Sequence, residues 1–322
     1  MKIVAVLPAS ERLSQQEAML RGLFSGHEAV VVTDRAGLEA HLSTVEVLVS
    51  TAFTPLPAQM LQKARRLRFI QVAGVGVDHI DIEAAGQLGI TVACVAGANA
   101  ASVAEHVIMV MLALLRGLVP AHQAMAEGQW PLPAWMGRAR EVGGKTVGIV
   151  GMGRIGREVA ARLLPFGAAV LYYDVRRLSA GDEDALGVAF APLDVLLRQS
   201  HVVTLHLPLT PETRGVIGRE QLQAMRPGSW LINAARAELV DEPALVEALQ
   251  SGPLAGAAID VFSPEPPPPG HPLRRLPNVL LTPHGAGVTV EAQERIAQGA
   301  VQNLLRFLDG RPLADVVVAG SR

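Results

Sequence analysis

The sequence has a single cysteine, Cys94, among its 322 residues. One thiol cannot form an intrachain disulfide, and it cannot supply a zinc or iron–sulfur site that needs several thiolates. The sequence also has no large excess of charge of either sign, because 28 basic and 30 acidic side chains leave a net charge of −2. Without a basic stripe we expect no nucleic-acid partner. This cysteine usage is compatible with a reducing compartment, so we expect a cytoplasmic protein.

Long uninterrupted apolar runs are absent too. The longest candidate, residues 103–119, contains Glu105, His106 and Arg116 and is followed by Pro120. Such a segment makes a poor membrane span, so we predict no membrane association and a buried helix over 102–118. The apolar run near the first residue is too short for the core of a secretory signal and predicts a strand.

Short apolar runs rich in β-branched residues recur along the chain, with room for a helix between most neighbours. Strands that alternate with helices form parallel sheets, which are covered on both faces. A chain of 322 residues fits two domains of ordinary size. We therefore predict an α/β fold with two doubly wound parallel-sheet domains. The predicted strands are 2–7, 29–33, 45–51, 68–73 and 91–95 in the first domain, and 146–150, 169–173, 202–207, 230–234, 255–259 and 279–282 in the second.

A glycine motif directly follows the predicted strand 146–150. Gly151, Gly153 and Gly156 have the spacing G-x-G-x-x-G. In a dinucleotide site the first glycine permits a tight turn, the second admits a pyrophosphate and the third lets the helix pack close to the strand. Taken alone, the motif is equally compatible with a structural turn.

An acidic residue stands where a ribose ligand is expected, because the next predicted strand ends at Asp174. A carboxylate there accepts hydrogen bonds from both ribose hydroxyls and repels a 2′-phosphate, which favours NAD over NADP. The alternative is an ordinary turn residue at a strand end. Arg176 and Arg177 follow closely and could soften the discrimination, so NADP stays possible as a cofactor.

Three side chains suited to hydride-transfer chemistry follow the last three predicted strands. They are Arg236, Glu265 and His284. Ligands of open α/β sheets bind beyond the carboxyl ends of the strands. Histidine suits removal of a hydroxyl proton, a neighbouring carboxylate favours imidazolium, and arginine offers a fork of donors for a substrate carboxylate. The alternatives are a packing histidine, a structural ion pair and an exposed loop acid. This chemistry needs no metal.

Taken together, these blocks resemble the D-isomer-specific 2-hydroxyacid dehydrogenase family over nearly the whole chain. The resemblance implies that Arg236, Glu265 and His284 are catalytic. It also implies that the backbone amides of Val75 and Gly76 bind the substrate carboxylate together with Arg236 and His284. The further matching blocks are 73–78, Asn99 with 102–106, 206–210 with Thr213, 233–236, 260–262 leading to Glu265 and Pro266, and 282–284.

The same resemblance implies a set of cofactor-binding residues and a domain arrangement. Arg154 and Ile155 would line the pyrophosphate, and Asp260 would hold the nicotinamide carboxamide. A flavodoxin-like outer domain for the substrate would comprise 1–98 plus 289–322, and a Rossmann NAD-binding domain would comprise 99–288 and form a homodimer. The full cofactor set is Val103, Gly151, Gly153, Arg154, Ile155, Gly156, Asp174, His206, Pro208, Thr213, Ala234 and Asp260.

The sequence therefore predicts an oxidoreductase that transfers a hydride between NAD(H) and a small D-2-hydroxy acid or 2-keto acid. Formate dehydrogenases of the superfamily carry glutamine as the partner of the histidine, so Glu265 argues against that alternative. The phosphite-oxidising branch places a lysine in the substrate loop, and 73–77 contains none. An NAD-sensing, corepressor-like protein without significant turnover is the remaining alternative. Glyoxylate, hydroxypyruvate, pyruvate and bulkier keto acids all stay open as substrates.

Overall fold

The computed structural model describes residues 1–7, 9, 13–51 and 54–320, except for the side chains of 13, 15, 16 and 19. Numbered in chain order, its strands are β1 (Lys2–Val6), β2 (Glu28–Val32), β3 (Val47–Ser50), β4 (Phe69–Val72), β5 (Thr91–Ala93), β6 (Thr146–Val150), β7 (Ala169–Tyr173), β8 (Val188–Phe190), β9 (Val202–Leu205), β10 (Ser229–Asn233), β11 (Leu254–Ile259), β12 (Val279–Leu281) and β13 (Val316–Val318).

The helices follow the same numbering. They are α1 (Leu13–Leu23), α2 (Arg35–Glu39), α3 (Ala58–Lys63), α4 (Ile82–Gln87), α5 (Ala100–Arg116), α6 (Leu118–Ala126), α7 (Leu132–Trp135), α8 (Arg154–Leu163), α9 (Ala180–Leu186), α10 (Leu193–Gln199), α11 (Arg219–Ala224), α12 (Glu242–Gln250) and α13 (Val290–Leu308). Short 3₁₀ turns span Leu164–Phe166, Ala237–Leu239 and Pro272–Arg275.

The chain divides into two compact units. The first comprises Met1–Asn99 and Thr289–Arg322, and the second comprises Ala100–Val288. Asn99, predicted in the second domain, groups with the first unit because α5 begins only at Ala100. The long helix α13 therefore returns to the first unit, where the ring of Phe307 stacks on Phe69 of β4 at a centroid distance of 4.7 Å.

The first unit contains a sheet in the order β13-β5-β4-β3-β1-β2. Strands β1 to β5 are parallel in the flavodoxin-like order 2-1-3-4-5, and β13 adds antiparallel to β5. Alternate residues of β1 face opposite cores, with Val4 and Val6 on one side and Ile3 and Ala5 on the other. Both faces are buried, as a parallel sheet requires.

The second unit contains a parallel sheet in the order β12-β11-β10-β9-β6-β7-β8. Counted within the unit, this is the Rossmann order 3-2-1-4-5-6 with one further strand at the edge. Neighbouring residues of β6 again face opposite cores, Ile149 on one side and Val150 on the other. The predicted fold class of two doubly wound parallel sheets is confirmed.

Several predicted boundaries differ from the structure for identifiable reasons. The helix predicted over 102–118 is α5, which stops at Arg116 because Gly117 has a left-handed backbone with φ 58°. After α6 comes the short helix α7, whose Trp135 indole donates to the Arg116 carbonyl at 2.6 Å. Within the described residues no single helix is long and apolar enough to cross a membrane, although α5 and α6 pass that test together as a pair bent by 63°.

Candidate active site

The glycine loop lies between β6 and α8 in the second unit, and each glycine occupies a different environment. Gly151 has φ 101°, and a Cβ on it would lie 2.7 Å from the carbonyl carbon of His206. A Cβ on Gly156 would overlap the Gly151 carbonyl oxygen, so the helix packs directly on the loop. Around Gly153 a Cβ would meet no atom of the described residues within 4 Å. This open position begins α8, with Arg154 and Ile155 in its first turn, where free amides favour an anion.

Asp174 directly follows β7 and binds the glycine loop. Its Oδ2 accepts a hydrogen bond from the Met152 amide at 2.7 Å, and its Oδ1 accepts one from the Arg176 amide at 2.9 Å. The carboxylate therefore lies at the rim of the loop, half-buried. This is the arrangement expected for a group that reads a ribose next to a bound pyrophosphate.

The segment after β9 contributes His206, Pro208 and Thr213. The His206 Nε2 lies 3.0 Å from the Thr204 hydroxyl, while its Nδ1 is buried and has no hydrogen-bond partner in the part of the chain that the structure describes. Burial lowers the pKa of His206 to about 3, so the ring is neutral at physiological pH. Thr213 donates to the Pro208 carbonyl at 2.7 Å and accepts from the Thr210 amide at 2.8 Å, which fixes the turn of this segment.

His284 and Glu265 form a direct pair at the carboxyl edge of the same sheet. The Nδ1 of His284 lies 2.7 Å from Oε2 of Glu265. The second carboxylate oxygen accepts the Phe262 amide at 2.8 Å, which fixes the acid. His284 itself has φ 52°, an unusual conformation for a residue with a Cβ. The side chain of His284 is 43% exposed, so its ring is accessible from solvent.

Asp260 holds the loop that carries His284. The carboxylate is 2% exposed and accepts three hydrogen bonds, from the Thr282 hydroxyl at 2.6 Å and from the Gly285 and Ala286 amides at 2.9 Å each. The Asp260 carbonyl also accepts the His284 amide at 2.7 Å. These bonds lie on both sides of the left-handed residue. The predicted contact of Asp260 with a nicotinamide carboxamide stays a prediction, while the contacts seen here fix the loop.

Arg236 lies in the loop after β10, where a buried asparagine shapes the backbone. Asn233 is 2% exposed; its Nδ2 donates to the Arg236 carbonyl at 2.8 Å, and its Oδ1 accepts the Ala235 amide at 3.1 Å. The Arg236 guanidinium donates from Nη1 to the Ala235 carbonyl at 2.7 Å. Ala234, predicted near the cofactor, is half-buried at the start of this loop. Sequence reasoning gave Asn233 no separate role, although it directly ends a buried strand.

His106 joins the Asp260 network from α5. Its Nε2 lies 3.4 Å from the Thr282 hydroxyl and 3.9 Å from Oδ1 of Asp260. Burial lowers the pKa of His106, and the charge of Asp260 partly opposes that shift. The sequence carries no signal for this contact of His106 with the loop that carries His284. Val103, predicted near the cofactor, lies one turn earlier and is buried in the core of the unit.

The first unit carries the predicted substrate loop, which follows β4. Neither the Val75 amide nor the Gly76 amide donates a hydrogen bond to any residue that the structure describes. The loop is braced at its far end, where the His79 Nε2 lies 3.1 Å from the hydroxyl of the fully buried Ser50. The binding of a substrate carboxylate by these two amides stays a prediction.

The second unit thus combines a Rossmann sheet, a glycine loop joined to a strand-end carboxylate, and a histidine–carboxylate pair, which together define a dinucleotide-dependent oxidoreductase. The chain belongs to the D-isomer specific 2-hydroxyacid dehydrogenase family, because the family's NAD binding domain matches residues 108–286. Its cofactor is NAD, and the open space around Gly153 at the start of α8 fits a pyrophosphate.

Similar proteins include enzymes that act on different small acids. A mitochondrial formate dehydrogenase of Solanum tuberosum is 39% identical over 292 residues, covering 88% of this chain and 77% of the relative. A glyoxylate reductase of Thermofilum pendens is 40% identical over 278 residues, covering 86% and 82%. The solved structure of an NAD-dependent formate dehydrogenase from Staphylococcus aureus in complex with NAD has a TM-score of 0.90 at 37% identity, with 100% of both chains covered.

Proposed function

We propose that this protein interconverts a small D-2-hydroxy acid and its 2-keto acid, with NAD as the hydride carrier and His284 as the general acid and base. The observation that carries the proposal is the contact of 2.7 Å between the His284 Nδ1 and Glu265. When bound, NAD accepts the hydride from C2 in the oxidation and returns it, as NADH, in the reduction.

A histidine–carboxylate pair suits this reaction because the substrate loses a proton as well as a hydride. Oxidation of a 2-hydroxy acid breaks the C2–H bond as a hydride and the O–H bond as a proton, so a base must accept that proton. With Nδ1 facing Glu265, the Nε2 of His284 is the ring nitrogen left to exchange it. Glu265 fixes the tautomer and favours the imidazolium that forms.

The substrate carboxylate needs donors of its own. Arg236 carries a planar guanidinium that can bind two oxygens at once, and its backbone is fixed by Asn233. The amides of Val75 and Gly76 suit a carboxylate as well, since they are adjacent and lie on a braced loop. Backbone amides recognise any carboxylate, so they support the class of substrate and not a particular side chain.

Formate oxidation is the second candidate, and the formate dehydrogenases among the similar proteins favour it. Formate has no hydroxyl group: it loses only a hydride and becomes carbon dioxide. This reaction therefore needs no proton acceptor, and a glutamate beside the histidine would have no role in it. We prefer the hydroxy acid because Glu265 is placed to serve a step that only this substrate requires.

The test is a paired assay. NADH oxidation is measured with glyoxylate, pyruvate and hydroxypyruvate, and NAD reduction is measured with formate, for the wild type and for Glu265→Gln. We expect keto-acid turnover in the wild type and a loss of at least about tenfold in Glu265→Gln, which keeps the hydrogen bond without the charge. Turnover with formate alone would overturn the proposal in favour of the second candidate. NADH binding without any turnover would favour a sensor.

We further propose that the protein is a homodimer formed through the second unit. An exposed apolar groove lies between the outer face of α5, the start of α6 and the 3₁₀ turn Leu164–Phe166. Its apolar lining residues are Ile108, Met109, Leu112, Leu118, Pro165 and Phe166. Contiguous apolar surface of this kind marks association sites. Met109→Asp should shift the molar mass measured by light scattering from dimer to monomer, whereas Val290→Asp, at an exposed apolar position of the other unit, should not.

A further inference from the structure

The segment after β7 holds one of its two arginines in a fixed position. The Arg177 Nε donates to Oε1 of Glu183 at 2.9 Å, and its Nη2 donates to Oε2 at 3.1 Å. Such a two-pronged contact uses the planar geometry of both groups. The Cζ of Arg177 also lies 5.2 Å from the centroid of the Phe190 ring, a cation–π distance. The guanidinium is therefore held at its edge by Glu183 and on its face by the ring of Phe190.

Glu183 is anchored more firmly than the acid of an ordinary surface ion pair. Its side chain is 13% exposed, whereas that of Arg177 is 63% exposed. The hydroxyl of Tyr172, a fully buried residue of β7, donates to Oε1 of Glu183 at 2.7 Å and accepts the Leu178 amide at 2.9 Å. Glu183 also lies in the first turn of α9, where the helix dipole favours a negative charge. The acid is thus a fixed point to which the arginine is attached.

The position of Arg177 in the chain relates this ion pair to the predicted cofactor site. Arg177 is three residues beyond Asp174, whose carboxylate binds the glycine loop at the end of the same strand. In Rossmann domains that use NADP, an arginine near this point binds the 2′-phosphate. A guanidinium is the best side-chain partner for a phosphate dianion, because its fork of donors matches two oxygens.

We propose that Glu183 is a residue that determines coenzyme specificity through Arg177. By holding the guanidinium against Phe190, it withholds the cation that would otherwise bind the 2′-phosphate of NADP. Asp174 repels the 2′-phosphate of NADP by its charge. Glu183 keeps Arg177 from binding that phosphate, so both acids favour NAD, each by a different mechanism. The inference rests on the proposed placement of the adenosine ribose at Asp174.

The contact also fixes the charge of the acid. The hydrogen bonds from Arg177 and Tyr172 lower the pKa of Glu183, while burial opposes them. The glutamate is therefore ionised at physiological pH, where the guanidinium stays attached to it. A 2′-phosphate would have to compete with a carboxylate that is already in place.

The experiment is a binding titration without substrate, with NADH and NADPH followed by protein fluorescence. The variants are Asp174→Ala, Asp174→Ala with Glu183→Gln, and the same pair with Arg177→Ala added. Glutamine keeps an acceptor for the Tyr172 hydroxyl but loses the charge that holds Arg177. Loss of the charge on Glu183 frees the Arg177 guanidinium for the 2′-phosphate, so we expect Glu183→Gln to improve NADPH affinity about fivefold in the Asp174→Ala background. NADH affinity should change less than about twofold.

The arginine variants decide the outcome. Adding Arg177→Ala should abolish the fivefold gain, whereas Arg176→Ala, one residue earlier, should leave it in place. A gain that persists without Arg177, or no gain in a folded Glu183→Gln variant, would overturn the inference. If that variant does not fold, Phe190→Leu loosens Arg177 from its other side and should give a smaller gain of the same sign. Failure of the wild type to bind NADH would instead contradict the placement of the cofactor, whatever the substrate.

Discussion

The carboxylate of Glu265 lies 2.7 Å from Nδ1 of His284, and its other oxygen accepts the Phe262 amide. The carboxylate of Glu265 is therefore held by a backbone amide on one oxygen and contacts the histidine with the other. Because Glu265 occupies one ring nitrogen, a substrate can meet only the other one, Nε2. The pair thus sets both the tautomer and the direction from which a proton can be exchanged.

The first prediction concerns His284. His284→Ala should lower the turnover of keto acids by about 10³-fold, since general acid–base catalysis by a positioned side chain contributes 10² to 10⁴. NADH affinity should change less than about threefold, because the glycine loop and Asp174 are untouched. Steady-state kinetics and a fluorescence titration check the two parts. A variant that turns over within tenfold of the wild type, or one that has lost NADH binding, would contradict the role.

Two glycines of the same loop give a matched pair. In Gly153→Ala the added methyl group would lie more than 4 Å from every atom in the described part of the chain, so the melting temperature should hardly change while NADH affinity falls more than about tenfold. Gly156→Ala overlaps the Gly151 carbonyl and should lower the free energy of unfolding by at least about 2 kcal/mol. Thermal unfolding and NADH titration separate the effects. Unchanged NADH affinity in a folded Gly153→Ala variant would place the pyrophosphate elsewhere.

Asp260 should act mainly on the loop of His284. Asp260→Asn places an amide group against three donors, so we expect a loss of about 2–4 kcal/mol in unfolding free energy and of about 100-fold in turnover. Thr282→Val removes one donor and should lose about 1 kcal/mol. The NADH dissociation constant of Asp260→Asn should rise less than threefold. A large rise with normal turnover would support contact with the carboxamide.

The buried ring of His206 predicts a dependence of stability on pH. Its pKa of about 3 in the folded protein lies below the unfolded value of about 6.5, so the unfolded chain takes up a proton first as the pH falls. The stabilisation is complete above pH 6.5 and is lost as the pH falls towards 3. Between pH 6.5 and 5, the wild type should lose about 1.5 kcal/mol more unfolding free energy than His206→Asn. Equal slopes in urea titrations would contradict this.

Much of the architecture could be predicted from the sequence because parallel strands buried on both faces are nearly continuous apolar runs. Strands such as β6 and β7 therefore appeared close to their observed bounds. The edge strands β8 and β13 are apolar but have only three residues each, and so short a run does not by itself predict a strand. Their place is set by pairing with β7 and β5, which depends on tertiary structure.

The residues of the candidate site likewise fall into those that the sequence predicted and those that it did not. Asp174 and His284 could be found because the first directly follows β7 and the second lies three residues after β12, and strand ends converge at one edge of a sheet. His106 was missed because its contact is with Thr282, 176 residues further along the chain. Asn233 was missed because its hydrogen bonds to Arg236 and Ala235 depend on the conformation of the loop, which the residue types alone do not specify. The attachment of Arg177 to Glu183 was equally hidden, since an arginine near Asp174 has the same sequence signal whether it is bound or not.

The left-handed backbone at position 284 has a consequence for how this chain can change. Glycine or asparagine would adopt φ 52° at lower cost than histidine, by about 1 kcal/mol or more. Replacing His284 by glycine should therefore relieve backbone strain, but it would also remove the imidazole that the proposed reaction uses. A histidine with a strained backbone is typical of a residue placed for function at the expense of stability.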